Sequence, residues 1–119
     1  MGEVKTYTGG CHCGKVRFEV DLALDGVASC NCSICSKRGW LLAFTPAEHF
    51  RLLSGADAVT VYQFNRHIVR HQFCATCGTA AFGDGKGPNG VSMVSINARC
   101  LDDVDLSALP VKHYDGRSL

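Results

Sequence analysis

Seven of the eight cysteines fall into three tight groups: Cys11 and Cys13 in "GGCHCG", Cys30, Cys32 and Cys35 in "CNCSIC", and Cys74 and Cys77 in "FCATCGT". Thiolates are soft donors that hold Zn²⁺ in a tetrahedron; zinc is favoured over iron, the alternative that thiolates also hold, because it does no redox chemistry. Disulfides are the rival use of an even cysteine count. Two of the groups, however, place a single residue between thiols, a gap across which a disulfide is strained and a metal is not. Two plus two closes a tetrahedron, so Cys11, Cys13, Cys74 and Cys77 make one complete four-thiolate site. Gly78 lets the chain turn tightly enough for its amides to face the sulfurs of the third group. Cys30, Cys32 and Cys35 then hold a second ion, with one position left for water or a substrate sulfur. Cys100, in "ARCLDD", is either the fourth ligand that closes this second site or a small buried apolar residue, the usual fate of an isolated cysteine.

The histidines add less. His12 lies between two thiols and in a strand points away from both. His67 and His71 are four apart and share a strand face, which reads as solvated rather than metal-bound. Lys37, Arg38 and His71 are the candidate proton donors. Lys37 and Arg38 could also hold a carboxylate, although a solvated pair of charges is the plainer reading, and Trp40 could line a pocket or simply belong to the core. Cys74 and Cys77 do not read as a redox pair, because no βαβ context surrounds them. Gly85, Gly87 and Gly90 have no following helix and cradle no phosphate.

Short strands must position these groups. In "KVRFEV", Val16, Phe18 and Val20 alternate with Lys15, Arg17 and Glu19, as in a strand with one wet face. "GWLLAF" reads as a buried strand, with Trp40 and Phe44 favouring that choice over a helix. In "TPAEHF", Thr45, Pro46 and Glu48 predict a capping box and one helical turn. "AVTVYQF" and "HIVRHQF" form a hairpin about Asn65 and Arg66, and "TAAFG" and "VSMVSIN" are further strands. "DGKGPNG" between them reads as loop, and "DLSAL" as a turn of helix. The expected architecture is a single mostly β domain, residues 1–119, of small antiparallel sheets stapled by zinc.

The bulk composition narrows the function classes. At 119 residues and 46% hydrophobic content, the core is thin and metals help to hold it. The net charge of +1 has no basic run behind it, so no nucleic-acid partner is expected. Nothing is apolar for long enough to span a bilayer, and the first residues lack the apolar core of a secretory signal. Gly2 and Thr6 fit a short myristoylation pattern that no second membrane signal supports. A reducing, cytoplasmic setting follows as the expectation. The partly apolar tail leaves room for a homodimer.

The order "GGCHCGKVRFEV", "CNCSIC", "HQFCATCGTAAF", "NARCLDD" resembles the glutathione-dependent formaldehyde-activating enzyme family, which also contains centromere protein V. "CNCSIC" together with "FRLLSGADAVTVYQFNRH" is most similar to the centromere protein V branch. The resemblance runs from about Gly9 to Asp115. It implies a β-tent fold, a structural zinc on Cys11, Cys13, Cys74 and Cys77, and a second, catalytic zinc on Cys30, Cys32 and Cys35. It also implies a carbon–sulfur lyase that works between glutathione, formaldehyde and S-hydroxymethylglutathione. Asn31 departs from the pattern, since many relatives carry His there, and the chain is shorter than the enzyme that names the family. Family membership fixes fold and metals better than substrate. A different thiol substrate, or a non-catalytic two-zinc module that binds a protein partner, are the alternatives.

Overall fold

The computed structural model describes residues 3–64, 69–87 and 89–118. Among the described residues ten strands form two sheets: β1 (Lys5–Gly10), β2 (Arg17–Leu22), β3 (Val27–Cys30), β4 (Leu42–Pro46), β5 (Phe50–Ser54), β6 (Val59–Tyr62), β7 (Val69–Cys74), β8 (Phe82–Lys86), β9 (Ser92–Asn97) and β10 (Val111–Tyr114). A single short α-helix, α1 (Cys35–Arg38), lies among the described residues, with short 3₁₀ turns beside it. One sheet has the order β1-β2-β5 and the other β10-β3-β4-β9-β8-β7-β6. The pairings are antiparallel, as expected, apart from β10, which lies parallel to β3 with Tyr114 opposite Cys30.

The alternation read in "KVRFEV" is real: Phe18, Val20 and Leu22 of β2 point inward and the residues between them are half-exposed. The strand starts at Arg17 rather than Lys15. Phe18 packs on Phe50 of β5 with ring centroids 5.4 Å apart, and Phe50 on Phe82 of β8 at 4.8 Å. These rings join the two sheets, and each buried ring is worth roughly 1.5–3 kcal/mol of apolar burial. A smaller second core gathers Cys35, Trp40 and Leu42 with Ala28, Ile34 and Ala80 packed against it. It seats the second thiol group.

Four strands carried no readable signal: β1, β3, β5 and β10. Two local expectations change. Asp84, Gly85 and Lys86 belong to β8 rather than to a loop, because antiparallel partners on both sides, Arg70 and Val69 on β7 and Val94, Met93 and Ser92 on β9, supply the ladder that their own propensity does not. Thr45 and Pro46 lie in β4, so the capping box does not form; the Thr45 hydroxyl donates instead to the Asp21 carbonyl at 3.3 Å. The helical turn itself exists, as a 3₁₀ turn over Ala47–His49. β6 and β7 pair as the expected hairpin, while Asn65 and Arg66 lie outside the described residues.

Candidate metal centres

The first thiol group is built from the ends of two strands in different sheets. Cys11 and Cys13 follow β1, and Cys74 and Cys77 stand at and just beyond the end of β7. The four Sγ atoms lie within 4.8 Å of one another, with Cys11–Cys13 and Cys13–Cys74 each at 3.6 Å. Backbone amides face the sulfurs: Val16 N–H donates to Cys11 Sγ at 3.3 Å and Thr76 N–H to Cys74 Sγ at 3.4 Å. Gly78 makes the expected turn with φ of +79°, a conformation that L side chains disfavour. Cys77 is held down to about 5, first by the Thr79 side chain and then by the Thr79 amide. Cys13 is pushed up to about 11: the Lys15 amide lowers it, but burial and the three neighbouring thiols outweigh that. Thiolates this close repel, so some keep their protons unless a cation shares the site. A divalent ion supplies that charge, and four sulfurs match the tetrahedral demand of zinc.

The second group comes from one short stretch. Cys30 ends β3, Cys32 follows it, and Cys35 opens α1. Their three Sγ atoms also lie within 4.8 Å of one another. Trp40 Nε1–H donates to Cys35 Sγ at 3.2 Å. Burial first, and the neighbouring thiols after it, push Cys35 up to about 12. Cys32 is lowered: burial raises it, but the Cys35 and Ile34 amides and the adjoining thiols prevail.

The C-terminal segment walls this group. Asn31 N–H donates to the Tyr114 carbonyl at 3.2 Å, Asn31 Nδ2–H donates to Asp115 Oδ1 at 2.9 Å, and Arg117 N–H donates to Asn31 Oδ1 at 2.9 Å. Gly116 sits so close that a Cβ there would lie 2.6 Å from Cys30 Sγ. Asn31, which stood out as a departure from its relatives, is therefore the clasp between the cluster and the tail. No sequence signal pointed to β10 or Gly116.

A cavity of about 460 Å³ opens beside the three thiols. Trp40, His71 and Tyr114 line it together with Cys30, Cys32 and Cys35. His71 is buried, not solvated as its strand-face spacing suggested: it is 8% exposed, and its ring stacks on Phe64 at 5.4 Å between centroids. Its Nδ1 has no hydrogen-bond partner. Burial, and after it the charge of Arg38, lowers its pKa below the usual histidine value. Trp40 serves both readings, as core and as cavity wall.

Cys100 joins neither group. It packs against the main core, and burial, with Cys11 and Cys77 after it, pushes its thiol up to about 11. Its neighbours are thus the first cluster, not the second, and among the described residues no fourth Cys, His, Asp or Glu completes the Cys30–Cys32–Cys35 group. His12 is exposed and belongs to no group; His67 lies outside the described residues. No helix among the described residues is long and apolar enough to cross a membrane.

The sequence model of the glutathione-dependent formaldehyde-activating enzyme family matches residues 6–114. The fold is similar to the crystal structure of a Rhodobacter sphaeroides protein, with a TM-score of 0.76 and 31% sequence identity over 88% of this chain and 99% of that one.

Proposed function

Because the chain belongs to the glutathione-dependent formaldehyde-activating enzyme family, we propose that it is a zinc-dependent carbon–sulfur lyase acting on a thiol adduct, with glutathione and formaldehyde as the leading substrates. The observation that carries this reading is the three-thiol group at the wall of the 460 Å³ cavity, with no fourth side-chain ligand gathered to it among the described residues. Cys11, Cys13, Cys74 and Cys77 hold a structural zinc, and Cys30, Cys32 and Cys35 hold the catalytic one. When bound at that second site, zinc supplies the positive charge that keeps a substrate sulfur ionised near neutral pH.

The chain's own residues do the rest. Ala28, Leu42, Trp40 and Tyr114 give the cavity a mostly apolar wall that limits water beside the sulfur. His71, neutral at pH 7 because its pKa is lowered, takes the proton of the entering thiol. The sulfur forms a bond to the aldehyde carbon, the carbon–oxygen π pair moves to oxygen, and the imidazolium returns the proton there. No oxidant or reductant enters, and the reverse sequence splits the adduct.

The test compares two thiols. Cys35→Ser removes one zinc per chain and abolishes turnover above the uncatalysed addition, while the fold survives. Cys77→Ser unfolds the domain, because loss of a structural zinc removes folding free energy. Equal unfolding by Cys35→Ser would make the second ion structural and favour a non-catalytic module.

A further inference from the structure

Among the described residues, the buried side-chain nitrogen and oxygen atoms without a hydrogen-bond partner are Arg38 Nη1 and His71 Nδ1. They belong to one neighbourhood, since the charge of Arg38 acts on His71. The Arg38 guanidinium lies 5.0 Å above the Trp40 ring. Asp102, Glu19, Asp21 and Asp84 form their ion pairs elsewhere, with Arg17, Arg51 and Arg70. A buried guanidinium nitrogen with nothing to bond loses its hydration without return. Arginine holds a planar fork of donors that matches a carboxylate; Nη1 of Arg38 is shut off from solvent, while the side chain as a whole is only partly buried and lines a cavity.

The space in front of Arg38 is a second cavity of about 390 Å³, lined by Lys37, Arg38, Tyr62 and Phe64, with Ser33 and Ile34 completing it. It adjoins the thiol cavity, because Phe64 stacks on His71 and His71 lines the latter. Two cations and two aromatic rings, with no carboxylate among the described residues that line the cavity, therefore stand beside the thiol site.

We propose that Arg38 and Lys37, framed by Tyr62 and Phe64, form a carboxylate subsite that reads the anionic end of a substrate whose thiol enters the neighbouring cavity. The substrate class follows from the thiol reading above: a thiol that carries a carboxylate at a distance from its sulfur, rather than a small neutral thiol. Lys37 is exposed and gives long-range attraction, whereas Arg38 gives the directed contact.

S-Methylglutathione tests this, because it keeps both carboxylates and cannot present a thiolate to a metal. The chain has one tryptophan, and it lies beneath Arg38, so Trp40 fluorescence of the zinc-loaded protein reports occupancy. The expected result is a saturable change in the wild type, weakened about tenfold or more by Arg38→Met and less by Lys37→Met. The diethyl ester of S-methylglutathione, with its carboxylates masked, binds at least about tenfold more weakly to the wild type. Arg38→Lys, which keeps the charge but loses the fork, falls between wild type and Arg38→Met, and it decides the matter if Arg38→Met does not fold. An unsaturable wild-type response, equal binding of acid and ester, or variants that bind like the wild type would overturn the subsite. So would an Arg38→Met that weakens zinc but not S-methylglutathione, since Arg38 would then only balance the thiolates. Glutathione added to cobalt-loaded protein separates the two ideas: no change in the thiolate-to-cobalt absorption that the cysteines already give, with S-methylglutathione still bound, sinks the thiol reading alone.

Discussion

If the two thiol groups hold zinc as proposed, replacing Gly116 by alanine should weaken one ion and spare the other. A Cβ at this position would lie 2.6 Å from Cys30 Sγ and 3.2 Å from Cys32 Cβ, whereas ordinary non-bonded contacts sit near 3.5–4.0 Å. The overlap is about 1 Å against a sulfur that a metal holds in place, so the tail must yield. Overpacking of this kind is worth about 1–3 kcal/mol. The hydrogen bonds that clasp the tail to Asn31, both at 2.9 Å, contribute about 0.5–1.5 kcal/mol each and are lost if it lifts. If the strain is instead relieved by moving Cys30, it appears as metal affinity, about 10–100-fold for a residue next to a ligand, or about 1.4–2.8 kcal/mol. The assay is competition against a zinc-binding dye, which resolves two zinc ions per chain by affinity. One ion is expected to shift by that factor and the other to stay. Asn31→Ala, which loosens the clasp without a clash, shifts the same ion by less. Two unchanged affinities in Gly116→Ala would show that the tail merely lies against the cluster and does not shape it.

Two other expectations follow from the same structure. His71→Gln keeps both zinc ions and lowers turnover by about 10²–10⁴-fold, the range of a lost acid–base group; unchanged turnover in an assay corrected for the uncatalysed reaction would remove His71 from the chemistry. Asp21 is held down to about 2, first by Arg51 and then by Thr6. Its folded pKa lies below its unfolded one, so its contribution is whole above about pH 4 and fades as pH falls toward 2. The melting-temperature deficit of Asp21→Asn against wild type is therefore expected at pH 6 and should shrink across that window; a deficit that stays constant would mean the carboxylate's charge is not what Arg51 recognises.

The grouping of the thiols was legible because ligand spacing is local chemistry, and the two-plus-two partition needed only a count. β2 was legible because one of its faces is buried against the Phe50 and Phe82 rings, which writes a period of two into the chain. β10 was not, because all four of its residues are exposed, so backbone pairing to β3 holds it and leaves no hydrophobic pattern. The second half of β8, Asp84 to Lys86, read as loop because Gly85 and its neighbours have little strand propensity and the flanking strands impose the conformation. His71 was misjudged for a related reason: spacing on a strand says which residues share a face, but not that Phe64 comes to stack on it.

The two sulfur clusters differ in the length of chain they tie. Cys13 and Cys74 are 61 positions apart, whereas Cys30, Cys32 and Cys35 are near neighbours. Closing a loop costs entropy that grows as the logarithm of its length, so an ion in the first cluster restricts the unfolded chain by about 2 kcal/mol more than an ion in the second. An ion held by the first cluster would thus fasten one sheet to the other, whereas an ion held by the second would tie only a local stretch of chain.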